Sequence, residues 1–403
     1  MEPVKIKENL YQIPVTDWNV RDFHGYSVYN GTTYNAYLSL GEKNTLFDTA
    51  KKGFSEEFFG MISKIIEPKD IDYIVVNHAE PDHSGLLTEA VEKIKPEKIF
   101  LSSACQKAII DHYHKTDWPF EIVKDGQEFS IGSRTVHFLE TRMLHWPDSC
   151  FSYLKEDEIL ISSDAFGHHW ASSGRYDDEV DNAELMRHSK KYFANILLPY
   201  APMAEKLLSK VASMNLSIKM ICPDHGVMWR KDPVSIINKY KEWSSKDLSL
   251  KGKKATIFYD TMWHSTEKMA DSIFDGLKSK GFDVDIMNVR VNHRSDIMTQ
   301  ILDSSVVVAG SPTLNNGIMP TVSDMLCYMR GLKPSGKIGG CFGSYGWSGE
   351  AVKEISEYMT KAGLKLLDEQ LKIKYVPSNE DLVLCKEYGI KLADKFESTI
   401  QGE

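Results

Sequence analysis

The sequence predicts an α/β protein in two parts, a sandwich of two sheets flanked by helices followed by a doubly wound parallel sheet. Three observations predict it. In the first part, short apolar runs are separated by turn signals and helical stretches, and several of the runs end in histidines or carboxylates. Residues 241–254 then form a polar, charged seam rich in Ser and Lys. Beyond the seam, strand and helix patterns alternate regularly, the order of a parallel sheet covered on both faces. At 403 residues the chain exceeds one ordinary core, since domains usually hold roughly 100–150 residues. We place the first domain at residues 1–249 and the second at 254–403.

The elements follow in order. Residues 38–48 and 71–76 read as strands, and residues 86–94 and 105–114 carry helical spacing. Gly126, Gly132 and the pair Glu156-Asp157 mark hairpin turns. A long helical region over 182–214 contains Pro199 and Pro202. Each lacks the amide that a helix interior needs, so a break or kink is expected there. In the second part residues 255–259 form a strand, and 266–280 a helix with Met269, Ile273, Phe274 and Leu277 on one face. Strands at 284–289, 305–309 and 338–342 and a helix at 350–362 complete the alternation. The run 305–309 is continuously apolar, as a doubly buried parallel strand should be.

Composition narrows the function. Hydrophobic residues make up 42% and charged residues 26%, a globular balance, and the net charge is −9. No basic face is available to neutralise phosphates, so nucleic acid is not an expected partner. The first nine residues hold no apolar segment of the signal-peptide kind. No stretch approaches the roughly 20 apolar residues of a membrane helix, so no membrane is expected either. Six scattered cysteines (Cys105, Cys150, Cys222, Cys327, Cys341 and Cys385) form no Cys-x-x-Cys pair. That argues against a zinc ribbon and fits a reducing, cytoplasmic setting.

The chemistry is concentrated in His78-Ala79-Glu80-Pro81-Asp82-His83, directly after the run 71–76. Two imidazoles and two carboxylates without a thiolate form a hard, oxygen-rich set that suits iron or manganese as well as zinc. Hydrolases of the metallo-β-lactamase type are similar here but place a third histidine where this chain has Glu80. That difference moves the expectation from a zinc-activated water to a redox-active pair of irons. His145, Asp164 and His225 each lie just past another β-like run. Loops at one end of a sheet sandwich could therefore converge, with Asp164 bridging two metals roughly 3.5–4 Å apart.

Three loops in the second part lie where open parallel sheets bind ligands, at the carboxyl ends of strands. Thr261-Met262-Trp263-His264-Ser265-Thr266 leads into a helix, whose free amides suit one terminal phosphate. Gly310-Ser311-Pro312-Thr313-Leu314-Asn315-Asn316-Gly317 and Gly343-Ser344-Tyr345-Gly346-Trp347-Ser348-Gly349 offer amides to a flavin edge and Trp347 to its face. The absence of Gly-x-Gly-x-x-Gly fits a mononucleotide, which has no pyrophosphate to approach.

Together with Asp17-Trp18-Asn19, His24-Gly25 and Gly31-Thr32-Thr33-Tyr34-Asn35-Ala36-Tyr37, these motifs resemble the flavodiiron proteins, or A-type flavoproteins, over nearly the whole chain. The resemblance implies a metallo-β-lactamase-like αββα sandwich followed by a flavodoxin-like doubly wound parallel sheet, with FMN and two non-haem iron ions. It implies that His78, Glu80, His145 and Asp164 bind one iron. Asp82, His83, Asp164 and His225 would bind the other, with His83 replaced by water in some members. The implied reaction is reduction of dioxygen to water, of nitric oxide to nitrous oxide, or both. Two ferrous ions and a reduced flavin hold the four electrons that dioxygen needs. His24 and His169 are candidate proton donors. Electrons would come from an external donor, rubredoxin or the reduced deazaflavin coenzyme, because no rubredoxin domain is fused. A head-to-tail homodimer or a dimer of dimers would bring one chain's flavin to the other's irons. Two positions depart from the family pattern: the double histidine His168-His169, and Phe193 where many relatives place a tyrosine beside the metals. The alternative is a metallo-hydrolase with an appended flavodoxin electron-carrier domain, against which Glu80 and the flavin both weigh. A third reading is an electron carrier with a structural metal domain, which iron content and gas consumption would separate from the first.

Overall fold

The computed structural model describes residues 1–248 and 251–402 and divides into two compact units. The first comprises Met1–His24, Val28–Tyr192 and Pro202–Lys241, the second Gly25–Ser27, Phe193–Ala201 and Glu242–Glu403. The expected limits at 249 and 403 lie outside the described residues.

The first unit is a sandwich of two sheets. One sheet runs in the order Val4–Lys7, Leu10–Asp17, Thr32–Ser39, Thr45–Phe47, Tyr73–Val75, Lys98–Ser102, Phe120–Val123. Its first four strands are antiparallel and the rest parallel. The other sheet runs Glu128–Ser130, Thr135–Glu140, Cys150–Leu154, Ile159–Ile161, Met220–Cys222, antiparallel except for the final pair. Alternation along a strand decides which core each side chain joins. In Thr32–Ser39, Tyr37 faces the second sheet with Phe47, Phe100 and Phe138. Tyr34, Ala36 and Leu38 face the opposite layer, where Phe58, Met61, Leu87 and Ile109 come from helices. The single strand expected over 38–48 is thus two strands. They are separated by a turn in which Gly41 N donates to Asn44 Oδ1 at 3.1 Å.

The helical region over 182–214 is also broken. Helix Asn182–Tyr192 passes into a π-helical turn, Phe193–Leu197, then a 3₁₀ turn, Leu198–Tyr200, that contains Pro199. Pro202 does not break anything. It occupies the first turn of helix Ala201–Ser213, where its amide would have no partner anyway.

In the second unit a parallel sheet runs Asp283–Asn288, Lys254–Tyr259, Val306–Gly310, Ile338–Tyr345, Lys365–Leu366, with Leu371–Lys374 also paired to Ile338–Tyr345. Helices Pro320–Leu332 and Asn379–Gln401 escape the sequence reading. The second opens with a capping box in which Ser378 and Asp381 satisfy each other's backbone amides. It crosses helix Ser265–Ser279 at two glycines. A Cβ on Gly276 would strike the carbonyl of Lys386, and one on Gly389 the carbonyl of Ile273.

The short stretch around the π-helical turn is bonded into this unit. Asn195 Nδ2 donates to Ser295 O at 3.1 Å and Thr299 Oγ1 at 3.4 Å, and Tyr328 Oη donates to Asn195 Oδ1 at 2.9 Å. The Ser27 and Ser295 hydroxyls lie 2.8 Å apart. Truncating Asn195 to alanine removes its three hydrogen bonds to Ser295, Thr299 and Tyr328, which should cost about 2 kcal/mol. The check is a lower urea midpoint for the second unit. Among the described residues, no helix is long and apolar enough to cross a membrane.

Candidate metal centre and ligand cradle

Four loops deliver seven titratable side chains to one place in the first unit. His78, Glu80, Asp82 and His83 follow strand Tyr73–Val75, and His145 precedes Cys150–Leu154. Asp164 follows Ile159–Ile161, and His225 follows Met220–Cys222. One ligand atom each from His78, Glu80, His145 and Asp164 lie within 4.8 Å of one another, as do those of Asp82, His83 and His225.

Asp164 faces both groups. Its Oδ2 is 3.0 Å from His145 Nε2 and 3.3 Å from His78 Nε2, and Glu80 Oε2 stands 3.0 and 3.3 Å from the same nitrogens. Its Oδ1 is 3.1 Å from His83 Nε2 and 3.4 Å from His225 Nε2. Asp82 closes this second group at 3.2 Å from His225 Nε2 and 3.4 Å from His83 Nε2. The turn that presents Asp164 is pinned on both sides: Ser162 Oγ donates to Ala165 O at 2.7 Å, and Asp224 N donates to Ser163 O at 2.9 Å.

Groups behind the imidazoles set which nitrogen points inward. His225 Nδ1 donates to Thr33 O at 2.6 Å, and His78 Nδ1 lies 3.1 Å from Asp148 Oδ2, which also accepts from Ala79 N at 2.7 Å. Such bonds leave Nε2 as the free donor atom. Asp224, fully buried, stands 3.7 Å from His83 Nδ1. Burial first, then the charge of Asp48, raises its carboxyl well above the usual range.

The donor set fits metal ions. Glu80, Asp82 and Asp164 are all buried, and no hydrogen bond reaches either Asp82 oxygen or Asp164 Oδ2. Buried carboxylate oxygens that no hydrogen bond satisfies are costly unless a cation lies beside them. Without one, protons take that role. Burial opposes charge on His145, but the carboxylates of Asp164 and Glu80, each 3.0 Å from its Nε2, outweigh it and raise its pKa to about 9. The imidazole therefore holds a proton below that pH, and a metal ion must displace it. Apparent iron affinity should thus fall as pH drops below about 9, by roughly tenfold per unit for each proton displaced. Chelator competition across pH measures this.

The two histidines of the His168-His169 pair face different ways. His169 Nδ1 lies 2.8 Å from Thr32 Oγ1, and its ring is 4.6 Å from that of His225. Burial, then the neighbouring His225, pushes its pKa well below the usual value. His168 instead accepts from Val227 N at 3.1 Å and packs where a side chain at Gly226 (φ +80°) would sit. His24 is largely exposed, with Nε2 3.2 Å from Glu80 Oε1. Within the second unit the Phe193 ring lies 5.5 Å from that of Trp243. In the first unit the Tyr192 ring lies 5.0 Å from His169 and 6.0 Å from His225.

In the second unit the three loops enclose a cavity of about 520 Å³. Met262, Trp263, Ser265, Pro312, Thr313, Leu314, Asn315, Asn316, Ser344, Tyr345, Gly346, Trp347 and Ser348 line it. Thr261, His264, Thr266, Ser311 and Gly349 do not. Thr266 instead pairs with Ser344 at 2.9 Å beneath the wall, and Ser311 Oγ accepts from Met319 N at 3.1 Å. Tyr375 and Val376, past the end of strand Leu371–Lys374, complete the lining and are absent from the sequence reading. No side chain caps helix Ser265–Ser279, and the buried Thr261 hydroxyl beside it has no hydrogen-bond partner. An uncapped helix start, an orphan hydroxyl and two indoles that are 86% (Trp263) and 84% (Trp347) exposed at the rim fit a phosphate-bearing aromatic ligand.

Comparison with known proteins finds a separate family match in each half of the chain. Residues 32–226 match the ODP family beta lactamase model, and residues 257–389 match flavodoxin. The rubredoxin-oxygen oxidoreductase of Megalodesulfovibrio gigas is 45% identical over 94% of this chain and 95% of its own. The nitric oxide reductase of Moorella thermoacetica is 42% identical over 98% and 99%. The crystal structure of the flavodiiron protein from Giardia intestinalis superposes with a TM-score of 0.94 at 34% identity, covering 100% of this chain and 98% of that one. A beta-lactamase-like sandwich and a flavodoxin-like sheet, joined in this order and shared with these relatives over nearly their full length, mean that the chain belongs to the flavodiiron proteins.

Proposed function

We propose that this oxidoreductase reduces dioxygen to water, nitric oxide to nitrous oxide, or both, using FMN in the second unit and two irons in the first. The observation that carries this reading is the placement of Asp164, whose two oxygens face separate ligand groups. His78, Glu80, His145 and Asp164 would hold one iron, and Asp82, His83, Asp164 and His225 the other. The irons and the flavin supply electrons and a site for the gas when bound.

The chain's own residues do the rest. Asp148 and the Thr33 carbonyl fix the tautomers of His78 and His225, so their Nε2 atoms stay available to metal. His24, open to solvent and 3.2 Å from Glu80, is placed to carry protons inward. His169, held neutral by burial and oriented by Thr32, keeps a proton beside His225. Tyr192 and Phe23 close that side against water, with Phe23 4.7 Å from the His169 ring. The external donor would be rubredoxin, as the name of the Megalodesulfovibrio relative suggests, or the reduced deazaflavin coenzyme. A head-to-tail homodimer or dimer of dimers would bring one chain's cradle to the other chain's metal cluster.

The test combines metal and flavin analysis with gas uptake. Iron near two and FMN near one per chain, with consumption of either gas on adding reduced donor, is the expected result. Zinc in place of iron, or no uptake of either gas, would refute the proposal. Sedimentation should give two or four times the 45.8 kDa chain mass.

A further inference from the structure

A second cavity in the first unit lies away from the metal ligands yet shares a wall with the turn that carries Asp164. It holds about 190 Å³ and lies among strands Cys150–Leu154 and Ile159–Ile161 and helices Ala201–Ser213 and Pro233–Ser244. Phe151, Leu160, Phe166 and Leu208, all buried, form its floor, while the half-buried Leu216 and the exposed Val234 stand at its mouth. Apart from Lys241 every lining side chain is aliphatic or aromatic, so water finds few partners over most of the pocket, and such surfaces take up apolar atoms.

Phe166 links the pocket to the metal cluster. It follows Asp164 by two residues and sits at φ +67°, a left-handed conformation that is costly for an aromatic residue. Two buried side chains hold it there. Phe166 N donates to Tyr240 Oη at 2.6 Å, and Trp229 Nε1 donates to Phe166 O at 2.9 Å. The clamped turn sends the Asp164 carboxylate toward the histidines and the Phe166 ring to the pocket floor, 4.5 Å from the ring of Tyr240.

We propose that this pocket collects a small apolar diatomic gas from solvent and passes it by Phe166 to the metal side of the Asp164 turn. The inference rests on the gas-reductase reading above and adds a site and a route to it. Dioxygen and nitric oxide share the relevant chemistry, being small, uncharged and weakly hydrated. Neither needs hydrogen bonds, for which Lys241 is the one polar side chain among the lining residues.

Xenon is the probe. Crystals of the full-length holoprotein pressurised with xenon should show an atom between Phe151, Leu160 and Phe166, and the variant Leu208→Phe should exclude it. In steady-state assays Leu208→Phe, and independently Leu216→Trp at the mouth, should raise KM for the gas by about three- to tenfold while leaving kcat within about twofold. Leu216 is only half buried, so its variant keeps the test alive should Leu208→Phe fold poorly. A wild type that consumes gas but takes up no xenon here, or both variants with unchanged KM, overturns the pocket and leaves the gas-reductase reading intact. A wild type that consumes neither gas overturns that reading, and the delivery route with it.

Discussion

Replacing Asp164 with alanine should lower gas consumption by at least roughly 10³-fold and strip most of the iron, while the flavin stays bound. Losing one ligand from a metal site is usually felt as a loss of affinity. This residue is different because each of its oxygens serves a separate group, Oδ2 beside His78 and His145 and Oδ1 beside His83 and His225. Its removal also leaves four imidazoles facing only two carboxylates, Glu80 and Asp82, so charge within both groups is less well balanced. A bridging carboxylate is what holds a two-metal site together. The cradle lies in the other unit, so the flavin spectrum is the internal control for folding. Asp164→Ala protein with two irons and normal turnover would end the assignment of Asp164 as the ligand shared by both groups.

The second large effect concerns Gly389. Changing it to valine should destabilise the second unit by about 3 kcal/mol or more, release the flavin and leave the metal content of the first unit unchanged. The Cβ of any larger residue there would meet the backbone carbonyl of Ile273, and Gly276 opposite offers no side chain that could move aside. Backbone cannot yield by changing rotamer. Helices Ser265–Ser279 and Asn379–Gln401 would have to separate, opening a core that contains Met269, Ile273, Leu277, Tyr388 and Leu392. The start of helix Ser265–Ser279 is also the proposed phosphate site, so the flavin should be lost along with stability. Flavin fluorescence against urea, beside iron analysis, measures both; a variant with the wild-type midpoint would mean the crossing is looser than described.

Sequence carried the metal cluster well because its chemistry is local. Four candidate ligands fall within six positions, and the other three each lie just past an apolar run. Local pattern did less well where helical phase changes. The aromatic that lies near His169 and His225 is Tyr192, the last residue before the π-helical turn Phe193–Leu197, whose wider winding no apolar period announces. Tyr375 and Val376 were hidden for a similar reason. The strand before them reads Leu-Lys-Ile-Lys, and its two exposed lysines conceal that its end reaches the cradle. The turn inside 38–48 was readable, since Gly41 and Asn44 are turn formers, but the flanking apolar run outweighed them.

The bonding of residues 25–27 and 193–201 into the second unit has a consequence for biosynthesis. A nascent chain presents its N-terminal half first, and domains generally begin folding as they emerge. Asn195 leaves the ribosome about a hundred residues ahead of Ser295 and Thr299, its partners. The first half must therefore settle while keeping this stretch available, and the second half closes around a segment made earlier. A gene cut anywhere in 241–254 would separate those partners onto different polypeptides. Moving the flavodoxin-like half onto another protein would thus require a substitute for Asn195 and Ser27, so this pair of domains is harder to shuffle than its order along the chain implies.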